Sequence, residues 1–175
     1  MSTRDEIVRL AEQGKRDFEG GRYDAAADAF RKAIQGYDQL HDRTDAAEQK
    51  NNLGVTLLKL RRPQEALDEV TGTDEVFAAA GDIRRQGMAF NNQAAALQDL
   101  DRLDDALAAY ERAAHLLGEV GEDELRALAL KAAAALQLRR GRITESGFKM
   151  LGALRSSLKP TWLERILRSV LRRPK

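Results

Sequence analysis

The side chains best suited to catalysis or metal binding are few in this sequence, and they lie far apart. His41 and His115 are the only histidines, and neither belongs to a pair with the spacing of helical zinc ligands. The chain has no cysteine, which excludes disulfides, thiolate metal sites and cysteine nucleophiles. Nothing in the sequence therefore indicates a metal centre, and we expect none.

Paired acidic residues and adjacent glycines have structural explanations. Asp104–Asp105 and Glu122–Asp123–Glu124 stand at the beginnings of predicted helices, where the helix dipole favours negative charge. Gly20–Gly21 lies between two predicted helices and lacks the pattern of a phosphate-binding loop. We therefore expect a protein that is not an enzyme and needs no cofactor.

Asparagine is the polar residue whose placement is informative. Asn51–Asn52 and Asn91–Asn92 occur in two similar strings, NNLG and NNQA, that begin forty residues apart. An amide side chain both donates and accepts hydrogen bonds, so it can pair with the backbone of a bound peptide whatever the peptide's sequence. The same amides could instead join neighbouring helices of the protein itself, and both interpretations fit the sequence.

A forty-residue repeat positions these asparagines. Small residues recur at one position of the repeat: Gly14, Gly54, Ala94 and Ala134. A second small position follows in each unit: Ala26, Ala66 and Ala106. Four residues after each of these alanines comes a larger side chain: Phe30, Val70 and Tyr110. Repetition at this period is typical of a solenoid built from stacked units.

Apolar residues recur at helical spacing within each repeat, which predicts two helices in each unit. The first helices are predicted over about 5–18, 44–60, 84–100 and 123–140. The second helices are predicted over about 24–40, 64–80, 104–120 and 144–158. We expect the small residues to let the two helices of a unit approach closely, and the larger residue to fill the space against the next unit.

Two small residues at a helix crossing, with a bulky residue four positions later, resemble the tetratricopeptide repeat. The forty-residue length, together with the NNLG string, resembles the long-helix subclass found in Pins-type polarity scaffolds and kinesin light chains. The resemblance implies an all-α fold, a right-handed α-solenoid that binds other proteins. Its four repeats would cover about 3–42, 43–82, 83–122 and 123–158.

The resemblance also implies that the first helices line a concave groove for a partner's peptide or helix. In the resembling family, asparagines at the positions of Asn52 and Asn92 contact ligand backbone. The candidate peptide-binding residues are Lys15, Glu48, Asn51, Asn52, Val55, Lys59, Met88, Asn91, Asn92, Asp99 and Lys131. The carboxylate clamp of chaperone adaptors is not expected, because Ala11, Met88 and Asn92 stand where that clamp needs basic residues.

Charge is distributed unevenly along the chain. Residues 139–175 carry eleven basic and two acidic side chains, whereas residues 1–138 carry eighteen and twenty-six. After Pro160 the spacing of apolar residues predicts a basic amphipathic helix within 159–175. Its basic side includes Arg165, Arg168, Arg172 and Arg173. This helix could cap the solenoid, or it could bind an anionic membrane surface or an acidic partner; nucleic acid is the weakest interpretation.

The sequence shows no apolar run of signal-peptide length at its N-terminus and no stretch as long as a membrane span. We therefore expect a soluble, cytoplasmic protein. The predicted function is that of an adaptor or scaffold that binds another protein. Peripheral association with a membrane or an anionic partner through the basic helix is the alternative, and the ends of the solenoid could also self-associate.

Overall fold

The computed structural model describes residues 3–139 of the chain, and these residues form helices joined by short turns. The helices are α1 (Thr3–Glu19), α2 (Tyr23–Gln39), α3 (Arg43–Lys59), α4 (Pro63–Val70), α5 (Thr73–Ala79), α6 (Ile83–Asp99), α7 (Leu103–Glu119) and α8 (Asp123–Arg139). Most helices pack mainly against their neighbours in sequence, whereas α4 and α5 each pack against α3 and α6. Helix α3 also contacts the first helices on either side, α1 and α6. The all-α solenoid predicted from the sequence is confirmed. The helices predicted over 144–158 and within 159–175 lie outside the described residues.

Successive helices other than α4 and α5 are joined by a turn that recurs every twenty residues. One residue in each turn has a positive φ: Gly21, His41, Arg61, Gly81, Asp101 and Gly121. The next residue closes the turn with a backbone hydrogen bond, as Arg22 N–H does to the Asp17 carbonyl and Asp42 N–H to the Tyr37 carbonyl, at 2.8 and 2.9 Å. This left-handed closure satisfies carbonyl groups at the end of one helix and reverses the chain into the next.

The second helix of the second repeat differs from the predicted one. A single helix was expected over about 64–80, but the structure has α4 and α5, interrupted at Thr71–Gly72. Thr71 is extended, with φ −62° and ψ 130°, and Gly72 is left-handed, with φ 80°. Glycine and β-branched residues are poor helix formers, and the Thr73 hydroxyl stabilises the interruption by donating to the Val70 carbonyl at 2.7 Å. The prediction of an unbroken helix is wrong here.

Glycine allows the two helices of the first and second repeats to approach closely. A Cβ atom on Gly14 would lie 2.6 Å from the Phe30 ring, and one on Gly54 would overlap the Val70 side chain. Each bulky residue therefore covers the glycine of its own repeat, which the sequence did not predict. Phe30 also belongs to a core cluster with Leu53 of the next repeat, so it packs in both directions.

The outward side of α1 carries polar, exposed side chains at positions that are buried in the next repeat. Four of its residues are exposed: Glu6, Arg9, Gln13 and Arg16. The residues at the same repeat positions in α3 are buried: Ala46, Gln49, Leu53 and Thr56. A polar outer surface on a repeat disfavours stacking on another copy. This side of α1 therefore presents little apolar surface for the end-to-end self-association considered above.

Candidate peptide-binding face

Ion pairs run across the surface formed by the first helices α1, α3, α6 and α8, which we call the inner face. The Glu48 carboxylate lies 3.3 Å from Lys15 Nζ of α1 and 3.3 Å from Arg85 Nη1 of α6. Glu48 thus links three repeats. Lys15 and Glu48 were predicted for the site. Arg85, in the helix that follows α4 and α5, was not. Because all three side chains are at least a third exposed, the pairs contribute little to stability.

A second group of ion pairs lies near the N-terminal ends of α1 and α3. Arg4 Nη2 lies 2.7 Å from Asp42 Oδ2 and 3.0 Å from Asp45 Oδ2. Asp42 also caps α3, because its Oδ1 accepts the Asp45 backbone N–H at 3.2 Å. Partial burial, together with the Asp42 carboxylate, raises the pKa of Asp45. Asp42 and Asp45, at this edge of the inner face, are therefore already paired with Arg4.

A largely buried hydrogen-bond network contains two of the four predicted asparagines. Asn51 Nδ2 donates to the Ala47 carbonyl at 3.0 Å and to Thr73 Oγ1 at 2.8 Å. Asn51 Oδ1 accepts from Asn92 Nδ2 at 2.9 Å. These bonds link α3 to α5 and α6, and the Asn51 side chain is buried. Asn51 is therefore corrected from a candidate peptide contact to a residue that joins helices of the solenoid.

Asn52 has no such partner on the preceding repeat. It corresponds to Asn92 in the forty-residue register, but α1 has Ala11 at the position where α3 has Asn51. Asn52 Nδ2 donates to Gln49 Oε1 of its own helix at 3.2 Å. Its side-chain oxygen accepts no hydrogen bond within residues 3–139. The half-exposed Asn52 amide therefore keeps an acceptor for a ligand.

Asn91 also lacks a partner, because the repeat that follows it has no asparagine to bond to it. It corresponds to Asn51, but α8 has Ala132 at the position of Asn92. The Asn91 amide is half-exposed and makes no hydrogen bond with any other residue in the described part of the chain. Both its donor and its acceptor are therefore available on the inner face.

A small open cavity adjoins Asn52 where α1, α2 and α3 meet. Its volume is about 150 Å³. It is lined by Lys15, Phe18, Glu19, Phe30, Asn52 and Val55. An apolar cavity with one amide and two charged groups at its edge could hold an apolar side chain while the amide bonds to the adjacent backbone.

The remaining predicted residues lie farther along the inner face. Lys59, Asp99 and Lys131 are exposed, and none forms an ion pair with another residue of 3–139. Met88 is half-buried, with its sulfur 3.6 Å from Arg84 Nη1. The structure thus brings Lys15, Glu48, Asn52 and Val55 together at the first two repeats, and it leaves the others spread along α3, α6 and α8.

Leu128 is a surface residue that the sequence analysis missed. It is 58% exposed and lies on α8, forty residues after Met88 and eighty after Glu48. The sequence could have indicated it, because Glu48 and Met88 were predicted site residues and Leu128 occupies the same position one repeat later. Val8 occupies the same position in α1 and is 38% exposed.

Within residues 3–139 no group of three or more histidine or acidic side chains could hold a metal ion. No helix in that part of the chain has the length and apolar character needed to cross a bilayer. The arginines predicted to contact an anionic surface lie outside the described residues: Arg165, Arg168, Arg172 and Arg173. Their role stays a prediction.

Several solved structures share this arrangement of helices. BtubC (BKLC) from P. vanneervenii matches with a TM-score of 0.75 and 16% identity, over 92% of this chain and 68% of that one. A putative kinesin light chain from Podosopora anserina with TPR-like repeats matches with a TM-score of 0.75 and 12% identity, over 91% and 79%. The Rap conjugation gene regulator of plasmid pLS20, solved with the Phr* peptide, matches with a TM-score of 0.70 and 19% identity, over 90% and 43%.

At these identities the similarity shows a shared fold. No curated protein matches the chain in sequence. One family model, described as soluble NSF attachment protein, SNAP, matches residues 19–147. Because this match covers well over half of the chain, the chain belongs to the SNAP family of tetratricopeptide-type repeat proteins.

Proposed function

We propose that the protein is a non-catalytic interaction module whose inner face binds a peptide or helix of a partner protein. The observation that carries this proposal is the contrast among the four asparagines. Asn51 and Asn92 bond to each other across two repeats, whereas Asn52 and Asn91 are half-exposed and bond to no other repeat within residues 3–139. Amides held on packed helices are already oriented, so their hydrogen bonds to a peptide backbone cost little ordering.

The comparisons support a polypeptide partner in general. A regulator with the same fold was solved with a bound peptide, and this chain spans less than half of that regulator. The family takes its name from attachment to NSF. The cavity beside Asn52 supports the same conclusion, because it offers space for one apolar side chain next to a free amide oxygen.

Peptides selected from a random displayed library on the wild-type protein provide the test. We expect Asn52→Ala combined with Asn91→Ala to weaken the selected peptides about tenfold or more. The reason is that each lost hydrogen bond contributes about 0.5–1.5 kcal/mol, and about 1.4 kcal/mol corresponds to a factor of ten. Dissociation constants from fluorescence anisotropy measure the effect. Thermal unfolding should change little, because neither amide bonds to another repeat.

Asn92→Ala is the matched control, since it removes the same amide from the same face of α6 but breaks a bond to Asn51. We expect it to lower the melting temperature while peptide affinity stays close to that of the wild type. Wild-type affinity in the Asn52→Ala, Asn91→Ala double variant would refute the proposed contacts. So would an equal loss of affinity in a folded Asn92→Ala protein.

A further inference from the structure

The half of the inner face formed by α6 and α8, which we call the C-terminal half, has an apolar row. Its members are half-buried or exposed: Met88, Ala95, Leu128, Ala132 and Ala135. Leu128 is the most exposed of the large apolar side chains within residues 3–139, at 58%. An exposed leucine that continues a row of smaller apolar residues is typical of a contact surface.

A positive charge lies beside this row. Lys131 is one helical turn from both Leu128 and Ala135, and it forms no ion pair within residues 3–139. Two acidic side chains of this half are also exposed. Glu124 lies one turn before Leu128, at the start of α8 and about 10 Å from Lys131 along the helix axis, and Asp99 lies one turn after Ala95, in the last turn of α6. Three arginines of α6 and α8 are, in contrast, already paired with carboxylates: Arg84, Arg85 and Arg139. Arg126 of α8 lies away from the row, at the repeat position of the buried Ala46. Lys131 is therefore the cation beside the row that is available to a partner.

We propose that the C-terminal half binds the apolar side of a partner segment that carries an acidic residue opposite Lys131. The inference rests on the proposed function and deepens it. Burial of Leu128 would supply affinity, because apolar area leaves water. Lys131 would supply discrimination, because charge complementarity favours an acidic segment over a basic one. Asn91 lies on α6, the other helix of this half, with a free amide for the same segment's backbone.

Charge also argues against the chain's own C-terminal segment as the occupant. That segment carries Arg165, Arg168, Arg172 and Arg173. Lys131 would repel these guanidinium groups. A partner segment with acidic residues is the complementary choice.

The position of the partner is tested by two matched substitutions. Leu128→Asp should weaken the selected peptides at least about tenfold, because it places a charge where apolar area is buried. Val8→Asp makes a change of the same kind at the same repeat position of α1, and we expect binding within about twofold of the wild type. Both side chains are exposed, and melting curves of the two full-length variants establish that they fold.

The charge of the partner is tested by a charge reversal. Peptides selected on the wild type should be enriched in apolar residues together with Asp or Glu. Lys131→Glu should weaken these peptides about tenfold, and a new selection on that variant should enrich Lys or Arg instead. Lys32→Glu on α2 is the control, because it reverses an exposed charge on a second helix. Its selection should match that of the wild type.

Different results would contradict the position of the site, the charge of the partner and the interaction function itself. Loss of binding in Val8→Asp but not in Leu128→Asp would overturn the C-terminal half as the site and leave the interaction function standing. Peptides without acidic enrichment, or an unchanged selection on Lys131→Glu, would overturn the charge of the partner. If no peptide is enriched on the wild-type protein, the interaction function itself fails.

Two other occupants have their own signatures. A dimer in light scattering that Leu128→Asp dissociates would identify a second copy of this chain as the occupant. Displacement of bound peptide by a synthetic peptide of residues 159–175 would identify the chain's own segment. Either result overturns the proposed partner.

Discussion

Glu48 and Leu128 occupy the same position of the repeat in different halves of the inner face. Glu48, in the N-terminal half formed by α1 and α3, is paired with Lys15 and Arg85. Leu128, in the C-terminal half, is exposed. A partner that contacts Glu48 would have to break ion pairs, whereas a partner that contacts Leu128 would remove apolar area from water. The same position of the repeat can therefore carry either a side chain held in ion pairs or one that is free for a partner.

The junction between the two halves offers the largest expected effect. Asn51→Ala removes the acceptor of Asn92 and the donor to Thr73 Oγ1, and both of these bonds join different helices. We expect the free energy of unfolding to fall by about 1–3 kcal/mol, because buried polar groups lose their partners. Chemical denaturation measures the change. Asn91→Ala, at the same repeat position in α6, should stay within about 0.5 kcal/mol of the wild type. Equal losses in the two variants would remove the distinction between tied and free asparagines.

Acid sensitivity should distinguish the first repeat from the later ones. Asp17 is buried where α3 and α6 have Leu57 and Leu97. Hydrogen bonds from Gln13 and from Arg22, each at 2.8 Å, lower the pKa of Asp17 below its usual value near 3.8.

Because the folded pKa is the lower one, the ionised carboxylate stabilises the fold above pH 3.8, and this contribution is lost as the pH falls through the folded pKa. We expect Asp17→Asn to be less stable at neutral pH and to lose less stability than the wild type on acidification. Melting temperatures between neutral and strongly acidic pH measure both. Parallel curves for the two proteins would show that Asp17 does not contribute to the acid response.

The smallest expected effect concerns the ion pairs that occupy the N-terminal half. Glu48→Gln removes the charge shared by Lys15 and Arg85. We expect stability to fall by less than about 1 kcal/mol, because the three side chains are partly exposed, and the difference should shrink in high salt. Glu111→Gln, an exposed change on α7 outside the ion pairs above, is the control. Identical unfolding free energies of the two variants at low salt would mean that the pairs do not hold this half together.

The repeat and most of its helices could be predicted from the sequence, because the spacing of glycine, alanine and bulky residues follows local helix geometry. The interruption at Thr71–Gly72 could not. It depends on whether Thr73 finds a buried partner, and that partner, Asn51, lies on another helix. Local propensity alone leaves a helix with one glycine plausible.

The candidate site was predictable in outline and not in detail. The sequence identified the four asparagines, but their roles depend on which residue each one meets on the neighbouring repeat. Ala11 and Ala132 leave two of them free, and this becomes evident only when the structure shows that Asn92 bonds to Asn51. Leu128 lies outside the two NN-containing helices, so a search centred on those strings does not reach it.

The most direct measurement is the response of the asparagine side-chain amides in a proton–nitrogen NMR titration with a selected peptide. We expect the Asn91 amide signals to shift most and those of Asn52 to follow if the peptide extends to the first two repeats. The signals of the mutually bonded Asn51 and Asn92 should move least. Shifts confined to Asn51 and Asn92, or to residues of the second helices α2 and α7, would contradict a partner on the inner face.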